Sequence, residues 1–218
     1  MTVMPSSSPR IAIVDYGAGN LRSVAKALER SALQPVITDD PAQVRASDGV
    51  VLPGVGAFAD AVTNLRATGL SDSVLESIEM GHPYLGLCLG LQVLFDEGDE
   101  YGCHPGLGLI AGRVERFPDQ APEGRALLVP HIGWNRVHFS GDHPMLEQLP
   151  ASDCYYFVHS YCAVPRDGRV RIGTANHGGE FTAAAATDGV FAVQFHPEKS
   201  QHAGKRIIDA YAAWVAGC

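Results

Sequence analysis

The alternation of short apolar runs with helical patterns constrains the fold of this chain more than any other feature. Continuous apolar runs predict four buried strands, at residues 11–14, 35–38, 49–52 and 84–88. Helical spacing predicts helices at residues 21–28, 59–68 and 71–80, the first with Asn20 at its N-cap position. Apolar strands separated by helices indicate a parallel sheet that is covered on both faces.

The second half of the chain has a different pattern. Short β-type runs occur at residues 108–117, 135–139, 155–161, 170–176, 181–187 and 190–195, and a last helix is predicted over Gln201–Ala216. We therefore expect a single α/β domain over residues 10–218. Its sheet should be mixed and mostly parallel, flanked by helices, with added antiparallel strands in the second half. Residues 1–9 are polar and rich in Ser and Pro, which predicts a disordered tail.

Charge and cysteine usage narrow the function classes. The 16 basic residues against 24 acidic ones give a net charge of −8, which argues against nucleic acid or an anionic membrane as partner. No stretch of 18 apolar residues could span a membrane. The five cysteines contain no C-x-x-C pair, which disfavours a disulfide framework and structural zinc. We expect reduced thiols in a cytoplasmic protein without a metal or cofactor.

The strongest chemical motif is Gly-Leu-Cys-Leu-Gly at residues 86–90, which closes an apolar strand and opens a helical pattern that includes Leu91, Leu94 and Phe95. A nucleophile on a tight strand-to-helix turn needs small neighbours, and a helix N-terminus favours the thiolate form of Cys88. The alternative is a buried structural cysteine between two packing glycines.

A cysteine nucleophile needs a base, and His196 is the best-placed histidine. It follows the apolar strand at 190–195, and Glu198 lies two residues further on. In extended chain, which Pro197 favours for the residue before it, these two side chains project to the same side. Glu198 could then orient His196, as in a nucleophile–base–orienter triad. A strand-end histidine beside an exposed glutamate is the alternative. A metal site is disfavoured because no third ligand has matching spacing.

Acyl chemistry also needs donors for an oxyanion. The backbone N–H of Leu89, the residue after the nucleophile, is one candidate. The glycine-rich loop at 52–58 could supply a second donor, since its backbone can approach a substrate closely. The alternative for this loop is a plain tight turn, and it lacks the Lys-Ser/Thr of a phosphate-binding loop.

Taken in order, the Pro-Gly-x-Gly loop, the G-x-C-x-G turn and the His-x-Glu pair resemble the class I glutamine amidotransferases. The resemblance covers nearly the whole chain from about Arg10. Five segments are similar to one branch of that family, the glutaminase subunits of imidazole glycerol phosphate synthases: residues 15–21, 52–58, 130–135, 156–161 and 194–200.

The resemblance implies hydrolysis of glutamine through a γ-glutamyl thioester on Cys88, with His196 moving protons and Glu198 orienting it. Ammonia would pass to a separate (β/α)8-barrel cyclase subunit in a heterodimer, which makes imidazole glycerol phosphate and an aminoimidazole carboxamide ribotide in histidine biosynthesis. Motif positions imply substrate or oxyanion contacts at Gly54, Val55, Gly56, Leu89, Gln92, His159, Ser160 and Tyr161. They imply partner contacts at Asn20, Pro130, Trp134, Asn135, Tyr156 and Lys199.

Two other functions fit parts of the pattern. A stand-alone cysteine hydrolase, of the γ-glutamyl hydrolase or peptidase type, would use the same triad but has no evident use for segments 15–21 and 130–135. A catalytically silent scaffold subunit would keep the fold without the chemistry, and the presence of all three triad candidates argues against it.

Overall fold

A computed structural model describes residues 8–218 of the chain. The predicted tail at residues 1–9 therefore falls almost wholly outside the described residues. At its end, the Pro9 carbonyl accepts a hydrogen bond from the Gln34 backbone at 2.8 Å, which ties the chain to the sheet just before the first strand. No helix among the described residues is long and apolar enough to cross a lipid bilayer.

The first half folds as alternating strands and helices. Its strands are β1 (Arg10–Val14), β2 (Gln34–Thr38), β3 (Gly49–Gly54) and β4 (Tyr84–Cys88), and its helices are α1 (Leu21–Glu29), α2 (Pro41–Arg45), α3 (Phe58–Ala67) and α4 (Leu70–Glu79). The four strands pair in parallel in the order β2-β1-β3-β4. Parallel pairing requires crossover connections, and the helices supply them.

Side-chain alternation along the strands divides the core into two layers. In β1, Ile11 and Ile13 face a cluster that includes residues of α1, whereas Ala12 and Val14 face the opposite cluster with residues of α2, α3 and α4. All four of these β1 side chains are fully buried. A strand buried on both faces explains why this segment is continuously apolar.

The second half adds mainly antiparallel strands. Its elements are α5 (Leu89–Gln92), β5 (Phe95–Gly98), β6 (His104–Pro105), β7 (Ile110–Arg116), β8 (His131–Phe139), β9 (Ser152–His159), β10 (Tyr161–Pro165), β11 (Arg171–Asn176), β12 (Glu180–Thr187), β13 (Val190–Val193) and α6 (Gln201–Ala216). β13 pairs in parallel with β4 and antiparallel with β12, so it joins the two halves into one mixed sheet. The predicted α/β fold class is confirmed.

The structure corrects two local predictions and adds detail to a third. The helical pattern after Cys88 does not reach Phe95: α5 ends at Gln92, and Phe95 instead pairs with Ile110 as part of β5. The single β-type run at 155–161 is two strands, because the chain turns at Ser160 between β9 and β10. Asn20 occupies the N-cap position of α1, but its side chain makes no capping hydrogen bond.

The ends of three neighbouring strands define one edge of the sheet. Gly54 at the end of β3 lies beside Cys88 at the end of β4, and Val193 at the end of β13 lies beside Leu87. Open α/β sheets place their ligand chemistry at the carboxyl ends of their strands. The chain folds so that the glycine-rich loop, the cysteine turn and the segment leading to His196 meet at that edge.

Candidate active site

Cys88 occupies an unusual backbone conformation at the end of β4. Its φ of 55° and ψ of −104° lie outside the regions that L residues ordinarily adopt, and the residue is 7% exposed. Conformations of this kind cost about 1–3 kcal/mol and occur mainly at functional sites. The strand-to-helix turn predicted from the sequence is therefore present, and it holds a buried thiol under strain.

The two glycines that flank Cys88 are required by close packing. A Cβ atom on Gly86 would lie 2.6 Å from the Gly90 carbonyl oxygen, and one on Gly90 would lie 1.9 Å from the Leu52 carbonyl oxygen. Both distances are far below van der Waals contact, so larger residues would force α5 away from β3 and β4. The short helix is thereby pressed onto the sheet directly behind the sulfur.

His196 and Glu198 form a buried pair next to this turn. His196 Nδ1 lies 2.9 Å from Glu198 Oε1, and each side chain is only 4% exposed. The local geometry differs from the prediction: a 3-10 turn over Pro197–Lys199, rather than extended chain, brings the carboxylate back to the ring. The backbone N–H of His196 donates to the Tyr156 carbonyl at 3.0 Å, which fixes the turn to β9.

The surroundings favour the protonated form of His196. Burial lowers its pKa, but the interactions of the ring with Cys88 and Glu198 outweigh burial and raise the pKa to about 9. The second ring nitrogen, Nε2, is buried and has no hydrogen-bond partner among the described residues. Nε2 therefore remains available to a reacting group.

Two glutamines connect Cys88 to the neighbouring backbone. Gln194 is fully buried and its Nε2 donates toward Cys88 Sγ at 3.6 Å. Gln92 Nε2 donates both to Gln194 Oε1 and to the Tyr161 carbonyl, each at 3.0 Å. Gln92 was predicted from its motif position, whereas Gln194 was missed. The signal for Gln194 was present, because it is the single polar side chain in the apolar run that leads to His196.

The glycine-rich loop lies against Leu89, the residue that follows Cys88. A Cβ atom on Gly54 would come within 2.6 Å of Leu89 Cβ and within 2.5 Å of the Tyr16 hydroxyl. Gly56 has a φ of +96°, and Val55 between them is 44% exposed. The structure therefore brings both candidate oxyanion segments together, at Gly54–Gly56 and at Leu89.

Tyr16 and Glu100 were not identified from the sequence. Burial and the nearby charge of Cys88 raise the pKa of Tyr16. Glu100 Oε2 accepts a hydrogen bond from the Phe58 backbone at 2.7 Å, and burial together with the charge of Glu100 raises the pKa of Tyr161. No local motif marks Glu100. Tyr16 lies within segment 15–21, but that segment assigns its side chain no role, because Tyr16 meets the site only through the tertiary fold.

The predicted segment at 159–161 lines the same region. His159 is buried and donates from Nδ1 to the Tyr161 carbonyl at 2.8 Å. The Ser160 carbonyl accepts a hydrogen bond from the Phe117 backbone at 2.9 Å. This stretch is therefore held rigidly at the turn between β9 and β10, beside Gln92.

Most predicted partner residues lie on the surface around this site. Trp134 is 52% exposed and packs edge-on against Tyr156, with ring centroids 6.1 Å apart. Ile132, on the same face of the β8–β9 hairpin, is 60% exposed. Asn20, Pro130 and Lys199 are also exposed.

Asn135 differs from the other predicted partner residues. Its neighbour Trp134 points outward, so the alternation of a strand points Asn135 to the opposite face of β8. Its side chain donates to His131 Nε2 at 3.2 Å and to the Asn176 carbonyl at 2.8 Å. Asn135 is therefore half-buried and hydrogen-bonded within the protein, and it does not share the surface formed by Trp134 and Tyr156.

Comparison with known proteins agrees with this geometry. The family model described as "Glutamine amidotransferase class-I" matches residues 12–211. Imidazole glycerol phosphate synthase subunit HisH of Syntrophotalea carbinolica is 50% identical over 199 residues, covering 91% of this chain and 97% of that protein. The protein of the same name from Gloeobacter violaceus is 48% identical over 211 residues, covering 96% of this chain and 91% of that protein.

Solved structures show the same fold at low sequence identity. The structure of PurLQS from Thermotoga maritima aligns with a TM-score of 0.71 at 19% identity, covering 95% of this chain and 99% of that chain. The glutaminase domain of Trypanosoma brucei CTPS, solved with bound acivicin, aligns with a TM-score of 0.67 at 16% identity, covering 96% of this chain and 94% of that chain. The chain belongs to the class I glutamine amidotransferase family and, within it, to the HisH subunits of imidazole glycerol phosphate synthase.

Proposed function

We propose that this enzyme hydrolyses glutamine to glutamate and ammonia through a Cys88–His196–Glu198 triad and delivers the ammonia to a cyclase subunit in histidine biosynthesis. The observation that carries the proposal is the meeting of a strained, buried Cys88 with the His196–Glu198 pair at one edge of the sheet. Nucleophile, base and orienting group then stand in the roles that acyl transfer requires.

The chemistry follows from the protonation of His196. The Cys88 thiolate attacks the carboxamide carbon of glutamine, and the carbonyl electrons move onto oxygen. When the tetrahedral intermediate collapses, the C–N bond breaks and His196 Nε2 donates its proton to the leaving nitrogen, which departs as ammonia. A pKa of about 9 keeps the imidazolium available as this acid at neutral pH. The neutral imidazole then takes a proton from water, which hydrolyses the thioester to glutamate and restores the triad.

The oxyanion requires hydrogen-bond donors that are fixed before the reaction. The Leu89 backbone N–H follows the nucleophile directly, and the Gly54–Gly56 backbone lies against Leu89. Donors of this kind each contribute about 3–4 kcal/mol of transition-state stabilisation in related chemistry. We assign these two segments to the oxyanion.

Recognition of free glutamine requires a partner for its α-ammonium group. Glu100 places a carboxylate beside Tyr161, close to the backbone that Gln92 and His159 hold. We assign Glu100 to the ammonium group and the segment at 159–161, with Gln92, to the rest of the amino-acid moiety. A γ-glutamyl peptidase would have to accommodate a further residue on the leaving nitrogen.

The exposed apolar surface next to the triad suits a partner that receives ammonia. Free ammonia is mostly protonated in water at neutral pH and is then not nucleophilic, so transfer has to be sheltered. Trp134, Tyr156 and Ile132 form an apolar patch on the hairpin whose backbone holds His196. Aromatic residues of this kind commonly anchor protein–protein interfaces. We assign this patch, with Asn20, Pro130 and Lys199, to the barrel-shaped cyclase subunit.

The decisive experiment measures glutamate release by the chain alone, with the cyclase subunit, and with the cyclase plus its nucleotide substrate. We expect the chain to co-purify with the cyclase and its turnover to rise strongly in the full mixture. Equal turnover without the cyclase, together with hydrolysis of γ-glutamyl peptides, would establish a stand-alone hydrolase instead. Absence of glutamate release under every condition, with binding intact, would establish a silent scaffold.

A further inference from the structure

A cluster of histidines lies beneath the β8–β9 hairpin and has no part in the triad. His131 and His159 are directly opposite each other in the antiparallel ladder, both buried, with His131 Nδ1 3.0 Å from His159 Nε2. His177 stacks on His131 with ring centroids 4.3 Å apart. Burying polar rings is costly unless their nitrogens are hydrogen-bonded, so each nitrogen of these buried rings needs a partner.

The hydrogen-bond partners fix which nitrogen of each ring carries the proton. The Tyr161 carbonyl can only accept, so His159 Nδ1 is the donor to it at 2.8 Å. Burial lowers the pKa of His159 to about 3 and, with the neighbouring His177, that of His131 to about 4, so both rings are neutral at pH 7. His159 Nε2 is then an acceptor, and His131 Nδ1 donates to it. His131 Nε2 is in turn an acceptor, and Asn135 Nδ2 donates to it at 3.2 Å.

The Asn135 amide is oriented independently of the histidines. Its Oδ1 accepts a hydrogen bond from the Arg136 backbone at 2.8 Å, which leaves Nδ2 to donate to His131 and to the Asn176 carbonyl. All four ring nitrogens of His131 and His159 are thus used in hydrogen bonds. None is free to bind a metal, and the described residues contain no metal-binding group of three or more His, Cys, Asp or Glu side chains.

The chain of hydrogen bonds continues from the histidines to the nucleophile. The Tyr161 carbonyl that accepts from His159 also accepts from Gln92 Nε2 at 3.0 Å. Gln92 also donates to Gln194 Oε1, which leaves Gln194 Nε2 to point toward Cys88 Sγ at 3.6 Å. Every donor in this series has an acceptor, so each group limits the orientation of the next.

The two faces of the hairpin have different tasks. Ile132, Trp134 and Tyr156 form the outward apolar patch, whereas His131, Asn135 and His159 lie on the inward face. Trp134 and Asn135 are consecutive residues, so a displacement of β8 at the patch moves the first member of the hydrogen-bond chain as well. The hairpin is the physical connection between the partner surface and the site.

We propose that His131 and His159 are positioning residues that hold Cys88 in its reactive environment through the Tyr161 carbonyl, Gln92 and Gln194, and that the same chain conveys contact at Trp134 to the nucleophile. The coupling to Trp134 rests on the proposed function, since it needs the cyclase as partner. The positioning role concerns the isolated protein alone, so the two are tested by separate experiments.

The first test measures the rate at which iodoacetamide alkylates Cys88 in the isolated chain, followed on the Cys88 peptide by mass spectrometry. His131→Phe keeps the aromatic packing but removes both hydrogen bonds. We expect a three- to tenfold slower alkylation, because an unconstrained Gln194 amide supports the thiolate less well, by about the net value of one ordinary hydrogen bond. His131→Asn keeps a donor at the Nδ1 position and should recover most of the rate.

Phe117→Leu is the matched packing control. Phe117 contacts the rings of His131, His159 and His177, yet its side chain takes no part in the series of hydrogen bonds that leads to Cys88. We expect this variant to be alkylated at the wild-type rate. Asn135 is half-buried and lies at the far end of the series of hydrogen bonds. Asn135→Ala therefore tests the same series if His131→Phe fails to fold. Wild-type alkylation rates in both His131→Phe and Asn135→Ala would overturn the positioning role.

The second test measures how far the cyclase stimulates glutaminase turnover. We expect the stimulation to fall at least fivefold in Asn135→Ala, with binding retained, and the losses in Asn135→Ala and Trp134→Ala to be strongly non-additive in the double variant. Additive losses would overturn the coupling. A cyclase that neither binds nor stimulates the wild-type chain would overturn the proposed function instead, and would leave the alkylation result unaffected.

Discussion

Cys88 combines a reactive side chain with a backbone conformation that only its surroundings can maintain. Its φ of 55° is held by the packing of Gly86 and Gly90 and by the pairing of β4 with β3 and β13. The strain belongs to the backbone and persists when the side chain is changed. A variant that removes only the sulfur should therefore keep the local architecture.

Cys88→Ala tests the nucleophile. We expect glutamine hydrolysis to fall by about three decades or more, in line with the loss of a nucleophile in other triads. Cyclase binding should be retained, since the alanine keeps the turn. Steady-state glutamate release and co-purification measure the two properties, and near-normal hydrolysis in the variant would show that Cys88 is not the nucleophile.

His196→Ala and Glu198→Ala test the division of roles within the pair. In the proposed mechanism His196 moves protons itself, whereas Glu198 acts through its 2.9 Å contact with Nδ1. We expect the loss of kcat in Glu198→Ala to be smaller by about a factor of ten or more, as for orienting carboxylates elsewhere. Equal losses, or a larger loss in Glu198→Ala, would contradict the assignment.

The pH dependence of turnover tests the protonated state of His196. Its pKa is raised to about 9, so the acid form predominates below pH 9 and turnover should fall as the pH rises through that value. In Glu198→Gln the imidazolium loses its charged partner, and the alkaline limb of the kcat profile should move to lower pH. An alkaline limb at the same pH in both proteins would mean that another group controls it.

At the scale of elements, α5 is a short helix that follows Cys88 and packs directly against the sheet. It has four residues, and Gly90 in its first turn touches the Leu52 carbonyl of β3. A helix this short has little stability of its own, so its position is set by this contact. The Tyr84 hydroxyl adds a hydrogen bond to the Gly90 carbonyl at 2.7 Å.

Gly90→Ala should therefore destabilise the protein by about 3 kcal/mol or more, because its Cβ would overlap a backbone oxygen that cannot move freely. Gly168→Ala is the matched control, since a Cβ there meets nothing within 4 Å and its φ is not in the left-handed region. Urea unfolding of both variants measures the difference. A Gly90→Ala variant as stable as Gly168→Ala would show that α5 can shift at little cost.

Strands and helices were predicted correctly from the sequence where the residues of the element itself show a clear pattern. β1, β3 and β4 follow from continuous apolar runs, and α6 begins and ends at the predicted residues. α2 was missed because it has only five residues, although Pro41 and the Asp40 cap mark its start. Contacts such as Gln92 with Gln194, which are 102 residues apart, leave no mark in either local sequence. The proposed triad follows from motif order, whereas the residues packed around it have no such signal.

At the scale of the whole molecule, burial of neutral histidines links stability to pH. Burial lowers the pKa of His143 to about 4 and, with the effects described above, that of His131 to about 4. Below about pH 6.5 the unfolded chain binds protons that these folded histidines do not bind. Their contribution to the free energy of unfolding is present above pH 6.5 and is lost as the pH falls toward 4.

His143→Phe tests this linkage away from the active site. His143 packs between Phe191 and Trp214, and its Nε2 is buried without a hydrogen-bond partner among the described residues. We expect the loss of unfolding free energy between pH 7 and pH 5 to be smaller in the variant by about 1–2 kcal/mol. The exposed His202→Gln should lose as much as the wild type. Urea titrations at the two pH values measure the effect, and identical losses in all three proteins would refute it.

The opposed faces of the β8–β9 hairpin also restrict how this protein can evolve. A strand exchanges its two faces when one residue is inserted or deleted. A single deletion at Gly133 would shift the side chains on one side of it relative to their partners on β9, taking either the indole or the imidazole to the wrong face. Under the proposals above, recognition of the other subunit and support of the Cys88 thiol depend on alternate residues of one nine-residue strand. We expect related proteins to differ in the residues at these positions but to keep the spacing between the positions unchanged.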